Sequence, residues 1–210
     1  LCIFTIFCLL VAPATALLAE QPDAKPESVL AEEYPIYDLV IQDKFLTSQT
    51  QLVLIERLTV TRLGPDWPPT NQALFEENSF FEGRLPPDLA RDFIKKNRQP
   101  SRLEAQFNFG ARYRFISGQG QGEEPEVSLS PVPAALALGN LAQAVPTTIG
   151  ILGFSRVGFT VKRDQALVYV GDNRPDGTGA GFLLWLSRQG QAWEIADTEV
   201  LWIARSEGER

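Results

Sequence analysis

The sequence contains no histidine and no methionine, and its two cysteines, Cys2 and Cys8, both lie at the extreme N-terminus. Mechanisms that use an imidazole base, a Cys–His pair or zinc ligands of the His and Cys type are therefore excluded for the rest of the chain. Any catalysis would have to rest on carboxylates, Lys, Tyr or Ser. No cofactor is predicted.

Positive charge is also scarce. Lys and Arg together number 19 and Asp and Glu 26, which leaves a formal net charge of −7. An excess of negative charge opposes broad contact with a phosphate backbone, so nucleic-acid binding is not expected. The 210 residues, 44% of them hydrophobic, suit one globular domain.

The first nineteen residues carry no charged side chain. A dense apolar run is followed by Pro13 and by the small residues Ala14 and Ala16, a pattern that signal peptidases accept. We therefore predict a signal peptide over residues 1–16, with cleavage after Ala16. The alternative is an uncleaved membrane anchor, because the uncharged stretch approaches spanning length.

Cleavage would place the protein outside the cytoplasm, in the periplasm or the extracellular space. Both cysteines would leave with the signal peptide, and no stable membrane span would remain. A linker rich in Pro and charge is predicted over residues 17–27, and a single domain over residues 28–210. Within that domain, residues 117–131 are rich in Gly, Gln and Glu and are predicted to form a flexible insertion.

Two helices are predicted in the first half of the domain. Apolar residues recur at helical spacing from Leu30 to Phe45, and Pro35 requires that this helix either bend or begin at Tyr34. The second helix begins at Pro86–Pro87 and ends near Asn97. Between them, residues 51–62 read as a strand and residues 64–83 as an irregular loop.

The C-terminal third has the most regular strand pattern. The strand-like runs cover residues 112–117, 149–161, 165–170, 181–187 and 191–203. Short turns between the last four predict an antiparallel meander, with a bulge near Thr198 that keeps the final strand in phase. The predicted fold class is α+β: an N-terminal helix and a second short helix packed on one face of a mainly antiparallel sheet with a C-terminal β-meander.

A structural ion pair is the one site that the sequence suggests. Glu56 falls on the more apolar row of its strand, where a carboxylate must pair, shift its pKa upward or be turned outward by a bulge. Arg57 and Arg156 are the basic candidates in this set, and we predict that Glu56 and Arg156 pair within the fold. The alternative is that each faces water from its own strand.

Other constellations have simple structural interpretations. The loop over residues 171–181 resembles fragments of a calcium loop, but Arg174 stands at a ligand position and Leu183 stands where the bidentate acid is required. A wide hairpin loop explains its glycines, and no metal site is predicted. The acids Glu56, Asp164, Asp172 and Asp197 are hydrolase candidates without a spacing that singles out a pair.

Several segments together resemble an uncharacterised family of exported bacterial proteins. These are S-R-V-G-F and A-L-V-Y-V, a glycine-rich hairpin, a closing V-L-W-I strand and, upstream, E-Y-P-I-Y-D-L-V-I-Q-D-K-F and L-P-P-D-L-A-R-D-F-I-K-K-N. The resemblance implies a packing pattern and no known activity. Members of the family often place cysteines in the hairpin, and residues 172–181 contain none, so a disulfide there does not carry over.

Two functions of different class follow. The first is an exported, non-catalytic domain that binds a protein partner or a small apolar ligand, which the abundant aromatics and missing His and Cys favour. The alternative is a carboxylate-dependent hydrolase outside the cytoplasm. Catalytic residues, binding residues and partner are not identified by the sequence.

Overall fold

A computed structural model describes residues 25–117 and 149–205. These ranges contain helices, 3-10 turns and one sheet, which agrees with the predicted α+β class. The helices are α1 (Tyr34–Lys44), α2 (Gln72–Asn78) and α3 (Pro87–Lys96), with 3-10 helices at Ala31–Glu33 and Phe80–Gly83. The strands are β1 (Leu52–Glu56), β2 (Arg112–Ile116), β3 (Ile151–Phe154), β4 (Gly158–Phe159), β5 (Gln165–Asn173), β6 (Gly179–Gln189) and β7 (Ala192–Ala204).

The sheet has the strand order β2-β1-β3-β5-β6-β7, with β4 paired to β5. From β3 to β7 the pairing is antiparallel, as the predicted C-terminal meander requires. β1 runs parallel to both of its neighbours, β2 and β3, so the sheet is mixed. Parallel neighbours need long connections, and the 55 residues between β1 and β2 include α2 and α3.

Helix α1 begins where the proline permits. Tyr34 and Pro35 form its first turn, after a 3-10 turn that ends at Glu33. The pyrrolidine ring is tolerated there because a first-turn N–H has no partner within the helix. The buried side of α1 includes Tyr34, Tyr37 and Ile41 from the predicted apolar stripe, and also Ile36 and Val40.

The helices lie on opposite faces of the sheet, and the prediction that both pack on one face is wrong. α1 packs with one row of β5, which contains Ala166 and Val168, whereas α3 packs with the other row, which contains Leu167 and Tyr169. β5 is a central strand with apolar residues on both sides, so each face of the sheet requires a cover.

The predicted irregular loop over residues 64–83 contains α2 and a 3-10 helix. Asn71 caps α2, because its side chain accepts a hydrogen bond from the Leu74 N–H at 2.9 Å. After α2, Ser79, Phe81 and Glu82 adopt left-handed backbone angles. This turn buries Phe81 against the second face of the sheet.

β1 is shorter than the strand predicted over residues 51–62, since it ends at Glu56. The predicted strand over residues 149–161 is likewise divided into β3 and β4. The interruption contains Arg156, whose backbone N–H is bonded to the side chain of Asn97 at 2.7 Å. Hydrogen bonds to the side chain of Asn97, the residue that follows α3, thus replace the strand ladder at this point.

The final hairpins follow the sequence closely. β6 and β7 join through a turn at Gly190, whose φ of 64° is the left-handed region that glycine favours. The sequence predicted a single bulge near Thr198. The structure instead has two bulges, at Ala196 and Leu201, one on each side of that residue. Each bulge adds one residue to β7 and reverses the alternation of its side chains, so the second bulge restores the phase that the first inverts.

Some predictions concern residues outside the described ranges. These are the signal peptide over residues 1–16, most of the linker over residues 17–27 and nearly all of the insertion over residues 117–131. Within the described ranges, no helix combines the length and the apolar character needed to cross a membrane.

Candidate functional site

A row of glycines crosses the sheet. Gly153 in β3 is paired with Gly171 in β5, Gly171 with Gly181 in β6, and Gly181 with Trp202 in β7. One further step in the parallel register of β1 and β3 brings Glu56 beside Gly153. Because glycine has no Cβ, the backbone is bare along this line and other side chains can lie directly on it.

Three side chains occupy the bare backbone. A Cβ added to Gly153 would lie 3.2 Å from a carboxylate oxygen of Glu56, and one added to Gly171 would lie 2.9 Å from the Tyr169 hydroxyl. A Cβ on Gly181 would overlap Nε1 of Trp202. The glycines are therefore the positions at which the fold needs space for these groups.

The three groups form the floor of an open cleft of about 400 Å³. Its walls come from loops and include Leu58, Val60, Thr61, Arg62, Pro65 and Pro100. None of the described residues that line the cleft belongs to a helix. The helices cover the neighbouring part of the same sheet face, around Leu167 and Leu183, and leave this part accessible.

Glu56 is the acidic group of the floor. Burial raises the pKa of its carboxyl group above the ordinary value. Within the described ranges, no side chain or backbone group forms a hydrogen bond or an ion pair with this carboxyl group. The sequence analysis expected Glu56 to pair, to shift its pKa upward or to be turned outward by a bulge. The raised pKa and the absence of a partner in the described ranges agree with the second of these alternatives.

Tyr169 and Trp202 are joined by a hydrogen bond. Nε1 of Trp202 donates to the Tyr169 hydroxyl at 2.9 Å. Burial raises the pKa of Tyr169 to about 12, the bond from Trp202 partly opposes this, and the nearby charge of Glu56 adds to the rise. The hydroxyl therefore keeps its proton at neutral pH and presents a donor beside the carboxyl group of Glu56.

The predicted pair of Glu56 with Arg156 is wrong, because Arg156 is bound to Glu33. Nε and Nη2 of Arg156 donate to Glu33 Oε1 at 2.9 and 2.6 Å. The same carboxylate accepts from the Tyr37 hydroxyl at 3.0 Å and from the Val157 N–H at 2.8 Å. Glu33 is fully buried, so Arg156 and Glu33 form a buried structural ion pair that the sequence did not suggest.

Arg57, the remaining member of the predicted set, lies away from the cleft. Its Nη2 is 3.7 Å from a carboxylate oxygen of Glu104, and its guanidinium lies 4.4 Å from the ring centre of Phe115. Phe115 belongs to the core beneath α1. Arg57 and Glu56 are neighbours in sequence but lie on opposite faces of the sheet, and Arg57 packs on the face that α1 covers.

The other candidate acids have local structural roles. Asp164 accepts from the Thr160 hydroxyl, Asp172 accepts from the Gly150 N–H at 2.5 Å, and Asp197 pairs with Arg84 at 2.9 Å. Glu56 is the only acid among the described residues that line the cleft. Across residues 25–117 and 149–205, no group of three acidic, His or Cys side chains is arranged to hold a metal ion.

The sequence analysis identified Glu56 but missed Tyr169, Trp202 and the glycine row. A signal was present at Gly153, which stands inside the predicted strand over residues 149–161, whereas Gly171 follows the run over residues 165–170 and Gly181 begins the run over residues 181–187. Glycine in a strand interior often marks a close approach by another group. Comparison of the chain with protein-family models, with curated proteins and with solved structures found no match.

Proposed function

We propose that the protein is an exported, non-catalytic binding domain that holds a small ligand in the cleft between Glu56 and Trp202. The glycine row supports this proposal most directly. It keeps a carboxyl group, a phenol and an indole together on an open floor whose walls are largely apolar. Concave sites with apolar walls and a few convergent polar groups are typical of small-molecule binding. The apolar run over residues 1–16 supports export.

The alternative, a carboxylate-dependent hydrolase, has less support. Such enzymes place two carboxyl groups across the scissile bond, one of them with a raised pKa. Glu56 meets the pKa requirement, but Asp164, Asp172 and Asp197 do not line the cleft with it. A single acid can polarise or bind a substrate, yet it does not supply the second group that this mechanism uses.

The test is a ligand screen by thermal shift, combined with a variant that blocks the cleft. A ligand that binds the folded state raises the melting temperature by mass action. Leu58 lines the mouth of the cleft and is 41% exposed, so Leu58→Trp fills the opening without altering the core. The matched control is Val161→Trp, at a position that is 87% exposed and outside the cleft.

We expect a ligand found in the screen to lose its effect in Leu58→Trp and to keep it in Val161→Trp. Equal binding by both variants would mean that the ligand binds elsewhere and would contradict the assignment of this cleft. Hydrolysis of a screened compound that stops in Glu56→Gln would favour the hydrolase alternative instead.

A further inference from the structure

We propose that the ligand of this cleft is an organic cation whose ammonium group binds the carboxylate of Glu56. This inference rests on the proposed binding function and specifies its ligand class. It starts from the carboxyl group of Glu56, which lies over Gly153 in the floor of the cleft and has no hydrogen-bonding or ionic partner among the described residues.

Removal from water without a partner destabilises the charged form of a carboxyl group. A bound ammonium group removes this penalty because it supplies both an opposite charge and N–H donors. A neutral ligand would leave the charge uncompensated, and an anion would be repelled by it. The charge of Glu56 therefore favours cationic ligands over neutral and anionic ones.

Arg62 is the one cationic side chain among the described residues that line the cleft. It is exposed, and within the described ranges no hydrogen bond or ion pair joins it to Glu56, so it does not take the place of a ligand at the floor. The negative charge of Glu56 is thus open to an incoming group.

The surroundings favour a cation with an organic body over a metal ion. Metal ions of biological importance need several oxygen, nitrogen or sulfur ligands, and Glu56 is the only acid in the described lining. Val60 and Pro65 offer apolar contacts beside it. The Tyr169 hydroxyl, which keeps its proton, adds one donor for an oxygen or nitrogen elsewhere on the ligand. A volume of about 400 Å³ is suited to a small molecule.

The test uses pairs of compounds that share a shape and differ in charge. Benzylamine is compared with benzyl alcohol, and cyclohexylamine with cyclohexanol, by calorimetric titration of the full protein at pH 7.5 and physiological salt. We expect each amine to bind roughly tenfold more tightly than its alcohol, which corresponds to about 1.4 kcal/mol. The comparison within the wild-type protein needs no variant, so it stands whatever a substitution does to folding.

Two variants locate the preference. Glu56→Gln retains the shape of the side chain and removes its charge, and we expect it to bind amine and alcohol equally. Glu194→Gln removes the same charge from an exposed position on β7 and should leave the preference intact. A preference that disappears in Glu194→Gln as well would indicate general attraction to an acidic protein and would overturn the proposal.

The possible failures are distinguishable. Equal binding of amines and alcohols by the wild-type protein, with loss of both in Leu58→Trp, would refute the cationic ligand class and leave the binding function standing. If neither the pairs nor any compound of the wider screen binds, both the ligand class and the proposed function are refuted.

Discussion

Replacing Glu33 by Gln should be among the most damaging isosteric substitutions in this protein. The carboxylate is fully buried and accepts hydrogen bonds from Arg156, from the Tyr37 hydroxyl and from the Val157 N–H. Burial by itself lowers the pKa of Arg156, and the hydrogen bonds and charge of Glu33 raise it above its ordinary value. The guanidinium therefore stays charged, and Glu33→Gln leaves that charge buried without its counter-ion.

Removal of one partner from a buried ion pair costs about 3–5 kcal/mol. Native domains are stable by about 5–15 kcal/mol, so the loss is a large part of the total. At roughly 3 °C per kcal/mol for a domain of this size, the melting temperature should fall by about 9–15 °C. Urea denaturation followed by tryptophan fluorescence measures the change in the free energy of unfolding.

Glu32 provides a matched control. It is the preceding residue, it pairs with Arg163, and its side chain is 39% exposed. An exposed pair contributes about 0–1 kcal/mol, so Glu32→Gln should have a small effect. Equal losses of stability in Glu32→Gln and Glu33→Gln would refute the reasoning that burial makes the second pair critical.

Two further predictions concern the glycine row and the surface of α1. Gly181→Ala should lower the free energy of unfolding by about 1–3 kcal/mol, because the new Cβ collides with Trp202. In a Trp202→Ala background this added cost should largely vanish. An undiminished cost, measured by urea denaturation, would rule out the collision. Burial raises the pKa of Asp38 from 3.8 to about 6, despite a hydrogen bond from the Asn108 N–H. The contribution of this raised pKa to stability is complete below pH 3.8 and is lost as the pH rises through about 6. Asp38→Asn should therefore be more stable than the wild type at pH 8, by at most about 1 kcal/mol because the site is half-exposed. The two proteins should be equally stable at about pH 3.5. Parallel unfolding curves for the two proteins at both pH values would contradict the assigned shift.

The elements with strong local signals were predictable from the sequence. α1 and α3 carry apolar residues at helical spacing and begin with proline in the first turn, which is a property of the local chain. The strands of the meander alternate and are divided by glycine-containing turns. α2 was missed because its seven residues lie among prolines and its main signal is a single capping residue, Asn71.

Pairing between distant residues was not predictable in the same way. Glu33 and Arg156 are 123 positions apart, and Glu33 stands beside a second acid, Glu32, from which local sequence does not distinguish it. Only the packing of α1 against the break between β3 and β4 shows which of two adjacent acids is buried. The predicted pair of Glu56 and Arg156 failed for the same reason, because the sheet places Glu56 on the face opposite to the Arg156–Glu33 pair.

The sequence by itself determined the absence of histidine chemistry, the acidic charge, the apolar N-terminal run, the α+β class and the positions of α1, α3 and the C-terminal strands, because composition and local periodicity can be read without the fold. The tertiary structure decided which face each helix covers, which acid meets Arg156 and where three strand glycines align beneath Glu56, Tyr169 and Trp202. Those features depend on strand order and register, and register brings together residues whose separation along the chain carries no local signal.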